Sequence, residues 1–217
     1  MLSNSKYPLR SEKRNNRLSY TAIRFEGYHD YTSQTQPGNS NCMYECYFFE
    51  NNVIELNFGN WYAPITGAVA GLYSSNGTSL ASYSPDANTG FVFVPNATAT
   101  VYTVNTSNSY ITGAVVTRQA LDLGSAPATT WTPSGWNSLQ NAYADDQNVS
   151  SNLHLNILFN NTSRGTVYIG SNFFITFGGG SNVTSPSSTN PALDKIMMNS
   201  GDRSYQRVAY LTAGGSK

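Results

Sequence analysis

Few side chains in this sequence could do chemistry. The two histidines are His29, in Gly-Tyr-His-Asp-Tyr, and His154, on the polar side of an alternating run. A nucleophile-base-acid triad needs a positioned serine as well. No Gly-x-Ser-x-Gly elbow is present, so a hydrolytic triad is not expected. The two cysteines, Cys42 and Cys46, sit in Cys-Met-Tyr-Glu-Cys. On a strand they share a face about 13 Å apart. A disulfide needs Cα atoms within about 7 Å, so no bond between them is expected. The same separation is too wide for tetrahedral zinc shared with His29 and His154. Both cysteines read as small, half-buried hydrophobes. Asp145-Asp146-Gln147-Asn148 offers oxygen ligands, but calcium needs six or more from several segments. It reads as a solvated loop after a helix. Gly178-Gly179-Gly180 lacks the Lys-Ser/Thr of a phosphate loop. No catalytic, cofactor-binding or metal-binding residue is assigned, and neither enzymatic activity nor a cofactor is expected.

Binding chemistry is better represented. Trp131 and Trp136 lie in Thr-Thr-Trp-Thr-Pro-Ser-Gly-Trp, where exposed rings could stack on sugars. Aromatics bury large areas, so a lid over one end of the fold is the preferred reading. Charge is unevenly placed. Lys6, Arg10, Lys13, Arg14, Arg17 and Arg24 face only Glu12 within the first 24 residues, a net +5. The rest of the chain carries −5, with no Lys or Arg between Arg24 and Arg118. Five phosphate contacts would give a salt-dependence slope of about −4.5, so nucleic-acid contact by the arm would be weak. An arm docking on an acidic neighbour suits the numbers better. Seven Asn-x-Ser/Thr acceptors occur, at Asn76, Asn96, Asn105, Asn148, Asn160, Asn161 and Asn182. The N-terminus has no apolar signal-peptide core, so glycosylation is not expected, and the motifs mark exposed loops.

The elements that must position these groups are strands. Residues 1–17 read as a flexible basic arm and 18–217 as one domain. Apolar residues recur with strand spacing over 18–25, 42–49, 53–58, 65–73, 80–83, 91–94, 99–104, 110–118, 153–159, 167–177 and 207–212. Asn51-Asn52, Ser75-Asn76-Gly77 and Pro85-Asp86-Ala87-Asn88 supply turns. Many short strands at about 8–12-residue intervals indicate a sandwich or barrel. Two patches show helical spacing, Trp136–Tyr143 and Pro191–Met198, the second with Asn190 as N-cap. Residues 178–190 read as a flexible link before it. The stretch from Leu56 to Pro85, with Trp61, Tyr62, Tyr73 and Tyr83, reads as a subunit contact, because interface cores are poor in charge and rich in aromatics. No run approaches the ~18 apolar residues of a membrane span.

Only 11% of residues are charged against 13% aromatic, so the surface must be made of Asn, Ser, Thr, Gly and Tyr. The basic arm, the succession of short strands and the long Ser/Thr/Asn/Gly-rich loops at 30–41, 124–135 and 178–190 resemble single jelly-roll capsid proteins of icosahedral viruses. Among these the chain looks most similar to penton or minor capsid proteins of large algal DNA viruses. The resemblance implies an all-β, single jelly-roll β-sandwich of about eight or more antiparallel strands, with one or two short helices in loops. It also implies a structural shell component of the virion, assembling with itself as a homopentamer and with other capsid proteins. The alternative is a carbohydrate- or receptor-binding β-sandwich, a spike head or lectin-like module that contacts a host glycan.

Overall fold

The computed structural model describes residues 18–28, 41–58, 68–86, 89–106, 136–140, 144–201 and 204–213. Within them the chain forms fourteen strands and no helix. They are β1 Tyr20–Tyr28, β2 Asn41–Phe49, β3 Ile54–Phe58, β4 Val69–Tyr73, β5 Ser79–Ala81, β6 Gly90–Pro95 and β7 Tyr102–Thr106. There follow β8 Asn137–Gln140, β9 Ala144–Asp145, β10 Asn148–Phe159, β11 Thr162–Gly170, β12 Phe174–Phe177, β13 Asp194–Ser200 and β14 Ser204–Ala213. All neighbours are antiparallel. The larger sheet runs β7-β6-β3-β2-β1-β14-β8, with β9 also paired to β14. The smaller sheet runs β10-β11-β12-β13-β4-β5.

Strand alternation sends one set of side chains from each sheet into a shared interior. The larger sheet contributes Ile23, Tyr44, Cys46, Phe48, Leu56, Phe93 and Val208, all fully buried. The smaller contributes Leu72, Val167, Ile169, Ile175, Phe177 and Ile196. Rings meet across the gap: Phe48 stands edge-on to Phe177 at 6.2 Å, and Tyr44 edge-on to Phe173 at 4.8 Å. Each such side chain removed from water contributes about 1.5–3 kcal/mol. Thr21, also facing inward, donates its hydroxyl to the Leu153 carbonyl and so ties β1 to β10.

Along β12 and β13 the smaller sheet is buried on its outer face too. Residues 178–193, between β12 and β13, form a strap that descends this face and returns. Thr176 Oγ1 donates to the Gly179 carbonyl at 2.6 Å, and Asn172 Nδ2 to the Val183 carbonyl at 2.6 Å. On the return, Lys195 Nζ donates to the carbonyls of Pro191 at 2.6 Å and Leu193 at 3.2 Å. Beneath the strap, Phe174 and Met197 are buried. The Phe174 ring lies so close over Gly170 that a Cβ there would sit 2.4 Å from it.

The strap corrects two expectations. The 178–190 link is pinned to the sheet by these bonds rather than free. The helix expected at Pro191–Met198 is instead β13, all seven of whose residues are buried. A strand covered on both faces loses the in-out alternation of a half-buried one, and Leu193, Ile196 and Met197 fall at the spacing of a helical stripe. In the other expected helix, Trp136–Tyr143, the described residues 137–140 form β8, which pairs with β14 at the sheet edge, and 141–143 lie outside the described residues. The run 167–177 is not one strand either. It is a hairpin, β11 and β12, turning at Ser171–Phe173, where Phe173 takes a positive φ of 57°. Residues 110–118 lie outside the described residues.

Candidate functional site

The sandwich has two unlike ends. The β2–β3, β4–β5, β6–β7 and β10–β11 turns gather at one of them. They are tight, and three are bonded to one another or to β13. Asn160 N donates to the Ala99 carbonyl and Asn161 N to the Thr98 carbonyl, both at 2.9 Å, joining the β10–β11 and β6–β7 turns. Leu158 N donates to Asn52 Oδ1 at 2.6 Å, joining β10 to the β2–β3 turn. Asn52, Asn160 and Asn161 all take positive φ, which asparagine tolerates better than other non-glycine residues.

The hub of this end is Asp194, 5% exposed at the start of β13. Its Oδ1 accepts from Ser75 N at 2.9 Å and from Asn160 Nδ2 at 3.0 Å. Its Oδ2 accepts from Arg164 Nη2 at 2.5 Å. One carboxylate therefore holds the β4–β5 turn, the β10–β11 hairpin and β13 together. The sequence reading missed this hub because Ser75, Asn160, Arg164 and Asp194 are dispersed and form no motif. The same carboxylate and burial push the nearby Tyr102 phenol above its ordinary value, burial contributing most.

Leu18 and Ser19, the first described residues, lie at this end as well; the expected arm, 1–17, lies outside the described residues. Leu18 packs on Phe49, Val53 and Val92, on the outer face of the larger sheet, and the Ser19 carbonyl accepts from Glu50 N at 3.0 Å. Tyr20, Tyr47 and Phe49 continue the same shelf, with centroids 5.6–6.5 Å apart. Further along, Arg24 Nε donates to Glu45 Oε1 at 2.6 Å, its Nη2 reaches the same oxygen, and Tyr47 Oη donates to Glu45 Oε2 at 2.9 Å. Burial chiefly, with the Glu45 carboxylate beside it, pushes the Tyr47 phenol well up. The Arg24 guanidinium lies 4.7 Å from the Trp136 ring centroid. Such a contact is worth about 0.5–1 kcal/mol when exposed and more when desolvated. One face of Trp136 is thus occupied by Arg24 rather than offered to a sugar. Trp61, Tyr62 and Trp131 lie outside the described residues.

The remaining sequence candidates do not converge. Cys46 is buried between the sheets, and burial raises its thiol well above the ordinary value. Cys42 lies four positions away on β2. His154 is exposed on β10, its ring stacked on Tyr210 at 5.9 Å, and His29 lies outside the described residues. No group of three or more metal-type ligands occurs among the described residues. Asp145 ends β9 and Asp146 follows it in the turn to β10, and Asp146 Oδ1 accepts from Asn172 Nδ2 at 3.2 Å. Burial first, then the neighbouring Asp146 charge, raises the Asp145 carboxyl. Of the expected contact stretch 56–85, the described part sends Leu56, Phe58, Leu72, Leu80 and Ala81 into the interior and leaves Ser75, Asn76, Thr78, Ser79, Ser82 and Ser84 exposed. Tyr83 packs against Phe58, Phe91 and Phe93, and its hydroxyl donates to the Met197 carbonyl at 2.8 Å. Comparison with known proteins finds no matching family model, curated protein or solved structure.

Proposed function

We propose that this chain is a structural shell protein, a penton or minor capsid component of a virion built on a single jelly-roll sandwich and assembling through contacts between copies. The observation that carries the reading is the nesting of long-range pairs. β1 pairs with β14 in the larger sheet, and β4 with β13 in the smaller. The chain is folded back on itself in both layers, as a jelly roll requires; β3 with β6 and β14 with β8 and β9 also join strands distant in sequence, and the remaining pairings are between consecutive strands. The arm root supports the second half of the proposal. Residues 1–17 leave from a rigid end, beside Leu18 and the Ser19–Glu50 bond, and carry five basic residues against one acidic. An arm so placed can reach a neighbouring copy whose body carries the opposite charge.

The test is the solution mass of the full chain, with and without residues 1–17, by light scattering. A pentamer or larger closed ring, lost on truncation while the far-UV circular dichroism of the β core persists, is the expected result. A monomer or trimer indifferent to truncation overturns it. The carbohydrate-binding alternative would then be taken up with a glycan screen.

A further inference from the structure

The two sheets meet on their inner faces, and the strap lies on the far side of the smaller one. Neither the smaller sheet nor the strap therefore covers the outer face of the larger sheet. A face open to water exposes its outward side chains. Here one outward position on each of five adjacent strands is buried: Val92 on β6, Glu55 on β3, Glu45 on β2, Ala22 on β1 and Ala209 on β14. Glu55 is only 1% exposed. Burying a carboxylate costs free energy, so one on an uncovered strand would reach for water.

The ladders show which part of the chain is placed to cover this band. Thr106 pairs with Phe91, Phe91 with Leu56, Leu56 with Cys46, Cys46 with Ile23, Ile23 with Tyr210 and Tyr210 with Asn137. This row crosses the whole larger sheet, and each of the five buried positions is one residue from it. β7 ends at Thr106, at one end of the row, and β8 begins at Asn137, at the other. Residues 107–135, outside the described residues, join the two. Six inter-strand steps of about 4.8 Å make the crossing about 29 Å. At up to about 3.3 Å per residue, the segment is long enough to make it. Trp136, directly before β8, already lies on this face, its ring over Arg24 of β1. The segment carries only Arg118 and Asp122 as charges, and it has Ile111, Val115, Val116, Leu121 and Leu123 to set against the sheet.

We propose that residues 107–135 dock on the outer face of the larger sheet, crossing from β7 to β8 along the row from Thr106 to Asn137. A partner that approaches from this side then meets the segment, and the sheet face itself is closed to a second copy. The placement goes beyond the shell reading and does not depend on whether rings form. The basic arm is the rival occupant, because Leu18 packs at the tight-turn end of the same face. Only one end of the arm is fixed there, whereas the segment is fixed at both edges of the sheet and in one row.

The experiment is carbodiimide labelling of carboxylates, read by mass spectrometry, on the full chain and on a variant whose residues 107–135 are replaced by a Gly/Ser linker of equal length. In the full chain Glu55 should label at least tenfold more slowly than exposed Glu50. The linker should speed Glu55 at least tenfold and leave the buried Asp194 protected, which shows that the core is still folded. Rapid labelling of Glu55 in the full chain overturns the proposal, as does protection that survives the linker. Protection lost on removing residues 1–17, or on dilution, gives the face to the arm or to a second copy and overturns it too. If the linker variant does not fold, p-benzoylphenylalanine in place of Tyr47, which pairs with Glu55 on the same face, decides the matter. Ultraviolet cross-links to 107–135 of the same chain are expected. Cross-links to residues 1–17, to another copy, or to neither overturn the proposal.

Discussion

Replacing Asp194 by alanine tests whether one carboxylate holds the tight-turn end together. The substitution removes acceptors for Ser75 N, Asn160 Nδ2 and Arg164 Nη2 at a position only 5% exposed. It also strands the Arg164 guanidinium, whose side chain is 20% exposed. Breaking a fully buried pair by removing one partner costs about 3–5 kcal/mol. Arg164 keeps some contact with water, which lowers that figure, while two further donors lose their acceptor at about 1 kcal/mol each. The sum is about 3–4 kcal/mol. For a chain of this length that corresponds to a fall of about 6–16 °C in the thermal midpoint. Urea unfolding of the wild type, Asp194→Ala, Arg164→Ala and the double variant forms a cycle. The pair should couple by at least about 1 kcal/mol, because removing Arg164 from the Asp194→Ala background relieves a stranded charge. A loss below about 1 kcal/mol, or strict additivity of the two changes, would refute the hub.

Two further predictions concern buried polar groups. Tyr47, Tyr83 and Tyr102 all have phenols raised chiefly by burial. In the unfolded chain they ionise near about pH 10, so above that pH the folded state holds more protons than the unfolded state. Stability should therefore begin to fall above about pH 8.5, where the unfolded Cys46 thiol ionises and the buried one does not, and fall more steeply beyond 10, by up to roughly 1.4 kcal/mol per pH unit for each such tyrosine. Urea midpoints that stay level from pH 9 to 11 would contradict this. Lys195, fully buried, has its amine lowered by desolvation against the opposing pull of Asp194, and it clamps the strap through the Pro191 and Leu193 carbonyls. Lys195→Met keeps the stem and removes both bonds. Amide exchange at Ser187 and Asn190, whose N–H groups are bonded within the strap, should quicken several-fold while the global unfolding free energy falls by no more than about 1–2 kcal/mol. Unchanged exchange in the strap would show that Lys195 does not hold it.

What local sequence could show about this fold was its period and its punctuation. Ile54, Leu56 and Phe58 alternate and become the inner face of β3, and Asn51-Asn52 turns the chain where two asparagines suggest a turn. The failures share a physical cause, which is that burial on a second face comes from chain distant in sequence. Nothing within Pro191–Met198 announces that a strap will cover β13, so its apolar run carries helical spacing as readily as strand spacing. Asp194 is equally silent, because its partners lie 30, 34 and 119 residues away. The wrapping of the sheets likewise depends on β1 meeting β14, a pairing that no window of ten residues contains.

The asymmetry of the two ends bears on how such a block could be used. Leu18, the first described residue, and Ala213, the last and paired with Tyr20, both lie at the end built from tight turns. That end is cross-linked by Asp194, Asn52 and the Asn160–Asn161 turn. The segments joining β1 to β2 and β3 to β4 connect strand ends at the opposite pole. On the shell reading proposed above, an arm that acts on a neighbouring copy needs a root that does not yield. Tension on residues 1–17 would pass through Ser19 and Glu50 into the β2–β3 turn, which Asn52 binds to β10. Loosening the root should therefore weaken assembly even with every basic residue of the arm in place. Leu18→Ala, which removes the arm's first contact with Phe49, Val53 and Val92, separates anchoring from charge. If it weakens ring formation as truncation does while the core keeps its midpoint, the arm works by being held at its base. If only the basic residues matter, the shelf under Leu18 is packing alone.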